Sequence, residues 1–427
     1  MAFYSILPLI TFIVIYLVVS IVMGDFYKVP ITVAFLVSSI VAIATLRGRS
    51  LQERMKVFSR GASSENMMLM IWIFILAGAF ASSAKAMGSI DATVNLTLNL
   101  LPSHMIMAGI FVAACFISLS VGTSCGTIAA LVPIATGVAD ETGLPVALLT
   151  AVVIGGSLFG DNLSFISDTT VVATQSQGCK MNEKFKANIR IVTPAAIITF
   201  IIYLIMGSGT SVSQATHDVN WLLVLPYIVV LITAISGINV MLVLTIGSLL
   251  TGIIGICTGE FDIFGWMKAM NEGILGMSEL IIVTMLAGGM LEIVKENGGI
   301  KMIIKAITAH IRGRKGGELA IASLVTFVDF CTANNTVAII TIGSIAKQIS
   351  EKFNIPAQRT ASILDTFSCF AQGIIPYGAQ MLIAAGLARL NPIEIIQYLY
   401  YPFILGGVAL IAILIYSRKN NETLETN

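Results

Sequence analysis

Residues 155–170 read Gly155-Gly156-Ser157-Leu158-Phe159-Gly160-Asp161-Asn162-Leu163-Ser164-Phe165-Ile166-Ser167-Asp168-Thr169-Thr170, inside an apolar run at about 145–176. A run of that length crosses a bilayer as a helix. Glycine weakens the helix, and the polar residues after it offer the backbone other partners. The crossing is therefore expected to break near its centre, leaving carbonyls and amides without helical partners. Such backbone is tolerated at membrane depth only where it is buried in protein or lines a wet cavity.

Three more breaks share this character. One turn reads Ser120-Val121-Gly122-Thr123-Ser124-Cys125-Gly126-Thr127, and another Asp329-Phe330-Cys331-Thr332-Ala333-Asn334-Asn335-Thr336. A second broken crossing reads Phe370-Ala371-Gln372-Gly373-Ile374-Ile375-Pro376-Tyr377-Gly378-Ala379-Gln380. Composition sets the frame around them. The 427 residues are 56% hydrophobic and 11% charged, against about 25% charged in soluble domains. The runs are too long and too uniformly apolar for the alternation of a β-barrel. Net charge is +1 with no basic patch outside the loops, which excludes nucleic acid as a partner. The six cysteines are scattered with no C-x-x-C and read as packing residues. The first apolar run has no Lys or Arg before it and reads as an uncleaved helix.

The chain repeats itself. LAGAF at 76–80 resembles LAGGM at 286–290, and Gly88-Ser89-Ile90 resembles Gly298-Gly299-Ile300, each at an offset of 210. Met55-Lys56 and Gly61 match Met267-Lys268 and Gly273 at 212, Thr123 and Thr127 match Thr332 and Thr336 at 209, and Pro145 matches Pro356 at 211. Collinear matches within three residues of a common offset predict a first repeat over 1–207, an external linker over 208–219, a second repeat over 220–416 and a cytoplasmic tail over 417–427. Lys and Arg mark cytoplasmic loops. The loop 47–60 is basic while its partner 259–275 is largely acidic; the loop 87–103 lacks Lys and Arg while its partner 297–315 is basic. The bias flips, so the halves should be inverted. Basic residues at 180–190, including Lys184, and in the tail read as cytoplasmic too. The expected fold is an all-α polytopic membrane protein of two inverted repeats. Each has five crossings, one re-entrant hairpin (104–140 or 317–350) and one broken helix, and both termini are cytoplasmic.

The breaks hold the chemistry. Carboxylates, hydroxyls and freed carbonyls are hard oxygen ligands that suit Na+, and half-helix C-terminal ends add negative partial charge. A lone carboxylate in hydrocarbon takes a proton, and beside a cation it ionises, so one carboxylate can hold H+ or Na+ in turn. Asp161 is the leading candidate, with Na+ expected in its vicinity. Asp168 follows seven residues later and shares its face if that segment is helical. Thr123, Ser124, Thr127, Asn162 and Ser164 accompany them in the first half. Asp329, Asn334, Asn335, Thr336, Asp365 and Gln372 are the candidates of the second half. Ser157, Thr332, Ser368, Tyr377 and Gln380 are candidate ligands for a small organic solute. His104, His217 and His310 fall at segment ends or loops. Glu292 reads as interfacial. Arg359 reads as a cytoplasmic anchor whose head snorkels to the interface; placed in the cavity, it would favour an organic anion.

The block Gly160-Asp161-Asn162-Leu163-Ser164-Phe165-Ile166-Ser167-Asp168-Thr169-Thr170 resembles the G-D-N-x-S-P-[IL]-S-D-T-T-like block of the NhaC family of Na+/H+ antiporters, in the ion transporter superfamily, with Phe165 where proline is usual. The two-repeat layout and Ile375-Pro376-Tyr377-Gly378 extend the resemblance over most of the chain. It implies paired hairpins and broken helices that form the cation sites, a scaffold that commonly dimerises, and an elevator-like transport domain. The family also includes exchangers of organic anions, such as malate against lactate. The leading expectation is Na+/H+ exchange in the bacterial inner membrane, with Na+ and H+ as partners in a lipid bilayer, no cofactor beyond Na+, and a homodimer. The second is a Na+- or H+-coupled carrier of an organic solute, an amino acid or carboxylate. A channel does not need two opposed hairpins, and no nucleophile–base or metal-ligand cluster supports an enzyme.

Overall fold

The computed structural model describes residues 2–23, 29–164, 167–208, 218–236, 238–309 and 311–424. Every regular element among them is helical. The expectations for His217, His310, Phe165 and most of the linker at 208–219 fall outside the described residues.

In the first half, α1 (Leu7–Phe12) runs through a π-helical stretch into α2 (Val19–Met23), followed by α3 (Ile31–Thr45), α4 (Leu51–Ala62) and α5 (Glu65–Ala86). Then come α6 (Ser89–Leu100), α7 (Ile106–Val121), α8 (Ser124–Thr142), α9 (Val146–Leu163), α10 (Asp168–Gln177) and α11 (Met181–Gly207). In the second half, α12 (Trp221–Ile235) and α13 (Val240–Thr258) precede α14 (Ile263–Gly276), α15 (Ser278–Glu296) and α16 (Gly299–Thr308). The chain closes with α17 (Gly313–Thr332), α18 (Asn335–Lys352), α19 (Ala357–Ile374), α20 (Ala379–Ala388), α21 (Pro392–Ile396) and α22 (Tyr400–Leu424).

Six helical stretches are long and apolar enough to cross a membrane: Met67–Ala86, Val146–Gln177, Met181–Gly207, Val240–Thr258, Ile263–Glu296 and Ala357–Ala388. A seventh arises if α6 and α7, bent by 106°, form one span. Shorter apolar helices cover Leu7–Tyr16, Ile31–Thr45, Trp221–Thr233 and Tyr400–Ile415. Large apolar side chains remain exposed along these helices, among them Val112, Ile201, Ile253 and Ile415. That is the surface a lipid-facing protein presents, since lipid tails solvate Leu and Ile without penalty.

The four loops at 47–60, 87–103, 259–275 and 297–315 are not loops throughout. Each contains a helix: α4, α6, α14 and α16 respectively. None of the four is long enough to span by itself, although α14 continues into α15 within Ile263–Glu296 and α6 pairs with α7. Ser50 and Glu53 form a reciprocal capping box at the start of α4, and Asp262 caps α14 by accepting from the Gly265 amide at 2.7 Å.

The broken crossings lie where the sequence predicts. α9 ends at Leu163 and α10 begins at Asp168; α19 ends at Ile374 and α20 begins at Ala379, just after Pro376. Left-handed backbone recurs at a constant spacing. Gly122 and Ala333, Gly143 and Asn354, and Gly178 and Arg389 all have positive φ, each pair separated by 211 residues. Backbone contacts recur as well. A Cβ on Gly61 would stand 2.3 Å from the Gly288 carbonyl oxygen, and one on Gly78 would stand 2.5 Å from that of Gly273.

Candidate cation site at the helix breaks

The first break is held open by side chains. Asp161 and Asn162 lie in the last turn of α9, whose terminal carbonyls have no helical donor. The Asp161 carbonyl accepts from Ser167 Oγ at 2.7 Å, and Ser167 also caps α10 by accepting from the Thr170 amide. The Asn162 carbonyl accepts from Lys184 Nζ at 2.7 Å and from Asn188 Nδ2 at 3.1 Å. Gly160 lets α9 touch α7, since a Cβ there would stand 2.3 Å from the Leu119 amide nitrogen. At the second hairpin the same logic holds. The Phe330 carbonyl accepts from the Tyr377 hydroxyl at 2.7 Å, and the Ala333 carbonyl from Gln372 Nε2 at 3.3 Å.

One hydrogen-bond chain joins three of the four breaks. Gln372 Nε2 donates to Gln380 Oε1 at 2.8 Å, Gln380 Nε2 donates to Ser124 Oγ at 2.9 Å, and Ser124 Oγ donates to Asp161 Oδ2 at 2.8 Å. Every donor in it points towards the Asp161 carboxylate, so the chain is polarised for negative charge there. Asp161 has no ion-pair partner among the described residues.

The other acids differ. Asp365 on α19 pairs with Lys184 on α11, and both are buried. Asn188 Nδ2 adds bonds to Asp365 Oδ2 at 3.3 Å and to Asn162 Oδ1 at 2.6 Å. Asp329 at the end of α17 is fully buried, and neither carboxylate oxygen has a side-chain or well-formed backbone donor. Asp161 is 6% exposed, whereas Asp329 and Asp365 are 0% exposed. Asp168 stands apart. It is exposed in the first turn of α10, and because Ser164 and Ser167 have extended backbone, the two-turn helical spacing does not align it with Asp161.

The remaining candidates serve their own helices. Asn334 caps α18 by accepting from the Val337 amide at 2.9 Å, and Asn335 Oδ1 accepts from the Thr336 amide at 3.0 Å. Thr127, Thr332, Ser157 and Ser368 donate to carbonyls three or four residues back. Thr123 is the extended residue before α8, Ser164 is buried at the break, and Thr336 is half-buried. A cavity of about 200 Å³ between α4, α15 and the second hairpin reaches Thr332 and Asn334. No cluster of three or more His, Cys, Asp or Glu among the described residues could hold a metal ion.

Two readings of basic residues change. Lys184 is not a loop cation but a fully buried residue of α11. The signal was present: Ile191, Ala195, Thr199 and Tyr203 form a buried stripe at helical spacing, and stepping back along it reaches Asn188 and Lys184. Arg359 does not reach the cavity or snorkel freely. It donates through Nε and a terminal nitrogen to Glu318 Oε2 at 3.2 and 3.1 Å, and Glu318, buried on α17, is an acid that sequence reasoning passed over. Glu292 is paired with Arg60 and Lys295 near the end of α15, as an interfacial residue would be.

A profile of the Na+/H+ antiporter family matches residues 1–208 and 211–417. The chain is 26% identical over 383 residues to the Na+/H+ antiporter NhaC of Bacillus subtilis, covering 80% of this chain and 82% of that protein. It is 22% identical over 371 residues to the NhaC of Alkalihalophilus pseudofirmus, covering 78% and 79%. It is 21% identical over 422 residues to the malate-2H+/Na+-lactate antiporter of Bacillus subtilis, covering 90% and 89%.

Proposed function

The chain belongs to the Na+/H+ antiporter family, and from that premise we propose that it exchanges Na+ for H+ across the cell membrane by alternating access, with Asp161 carrying the two ions in turn. The observation that carries this reading is the inequality of the buried aspartates at the helix breaks. Asp365 already has a cation in Lys184, and Asp329 is sealed. Asp161 is slightly exposed, with a hydroxyl partner and no ion-pair partner among the described residues. A carboxylate so placed is stable with a proton or with a metal cation and costly with neither. Binding one ion therefore requires release of the other, which is the whole of obligatory exchange. Ser124 adds a hydroxyl oxygen beside the carboxylate.

The same proposal includes two inverted repeats over 1–207 and 220–416, both termini cytoplasmic and a homodimer. Recurrence of left-handed backbone at 211 residues supports the repeats, as do the matched contacts Gly61–Gly288 and Gly78–Gly273. Two-fold relation between halves makes such contacts reciprocal. The flip in Lys/Arg bias supports their inversion. Transport of an organic solute is the second reading, and the malate–lactate relative keeps it open. It loses its arginine, because Arg359 is committed to Glu318.

Sealed proteoliposomes holding a pH-sensitive dye test the proposal. An imposed Na+ gradient should drive a proton flux in wild-type vesicles and none in Asp161→Asn. Wild-type exchange surviving in Asp161→Asn would remove that residue from the mechanism. No dye response in the wild type would shift the reading to organic-solute transport.

A further inference from the structure

Lys184 gives its ammonium to oxygens from three helices. These are the Asp365 carboxylate on α19, the Asn162 carbonyl at the end of α9, at 2.7 Å, and the Thr170 hydroxyl on α10, at 2.7 Å. A carboxylate, a freed carbonyl at a half-helix C-terminus and a hydroxyl are the ligands an unsolvated monovalent cation takes inside transporters. Lys184 and Asp365 are both buried, and α11 brings the lysine in from outside the broken crossings. We propose that this cluster is a second monovalent-cation site whose occupant is the protein's own ammonium.

The consequence is a division of labour. Lys184 cancels the charge of Asp365 and pins the Asn162 carbonyl, so the break beside Asp161 is shaped without a free ion. The exchanger then moves a cation through one site only. That last step rests on the Na+/H+ reading; the tethered-cation site itself does not. Shortening Lys184 vacates a hole lined by the same oxygens, and leaves Asp365 as an uncompensated buried charge. A free small cation should then fill it.

The test is thermal unfolding of purified Lys184→Ala, made in an Asp161→Asn background so that the exchange acid contributes no ion response. Unfolding is compared in methylammonium, sodium and choline chlorides at equal concentration. The variant should melt lower than its parent in choline and regain several degrees in methylammonium or sodium, as binding to the native state requires. The parent, whose site is filled, should show no such gain, and adding Asp365→Asn should abolish it. Indifference of the lysine-free variant to small cations would overturn the proposal, as would a gain that persists without Asp365. If the lysine-free variant does not accumulate, equilibrium binding of radioactive Na+ to the wild type decides. One ion per chain, lost in Asp161→Asn, is expected; a second ion, or one that survives in Asp161→Asn, would overturn it. No bound Na+ at all would count against the Na+/H+ reading but agree with the tethered-cation site, since a site already filled by Lys184 takes up no free ion.

Discussion

Ser124, on the turn of the first hairpin, donates a 2.8 Å hydrogen bond to Oδ2 of Asp161, 37 residues further along the chain. The same hydroxyl accepts from Gln380, 256 residues away, so one side chain ties both halves to the carboxylate. A hydrogen bond to a charged group contributes about 1.5–3 kcal/mol. Ser124→Ala should raise the KM for Na+ by about 10- to 100-fold, a tenfold change being about 1.4 kcal/mol. Na+-dependent exchange rates in proteoliposomes measure it. An unchanged KM would mean that the hydroxyl is not near the bound ion.

Protons and Na+ should compete. If one carboxylate holds either ion, lowering the pH raises the KM for Na+ and leaves the maximal rate unaltered. The rise should approach about tenfold per pH unit on the acid side, following proton concentration itself. A maximal rate that falls with constant KM would point to separate sites.

Asp168 should be dispensable where Asp161 is not. It is exposed in the first turn of α10, where an acid stabilises the helix by about 0.3–1 kcal/mol. Asp168→Asn should therefore keep exchange within a few-fold of wild type. Complete loss in that variant, with normal folding, would bring Asp168 into the transport path.

Two backbone positions should respond in opposite directions. Gly160→Ala would press a methyl group to 2.3 Å from the Leu119 amide, which should cost about 1–3 kcal/mol or prevent folding. Ala333, with φ of 50°, sits where its counterpart is Gly122. Ala333→Gly should raise stability by up to about 1 kcal/mol, relief of left-handed strain exceeding the entropy glycine adds to the unfolded chain. Thermal melts of the purified variants check both.

The inverted arrangement is open to labelling. Cysteines introduced at Lys56 and Lys301, both exposed, should react from the cytoplasmic side in a background lacking Cys257. Reaction from opposite sides would sink the inversion.

Much was legible in the chain itself, for a physical reason. Membrane crossings are announced by length and apolarity, because hydrocarbon demands both. Breaks are announced by glycine, proline and polar residues inside such runs. Gly160 to Thr170 and Gln372 to Gln380 thus marked the breaks, and with them the family. The short helices α4, α6, α14 and α16 escaped, since none is long enough to cross a membrane alone and the Lys/Arg pattern marks their segments as loops. What only the tertiary structure decided is which acid is free. Asp161, Asp329 and Asp365 look alike as intramembrane carboxylates, and their difference lies in partners brought from distant segments. Lys184 looked like one more cytoplasmic charge, and its pairing with Asp365 depends on how α11 packs on α19. Local sequence carries the preferences of a helix and its breaks. The charge on a buried carboxylate depends on what lies within a few ångströms of it, and the fold alone determines that.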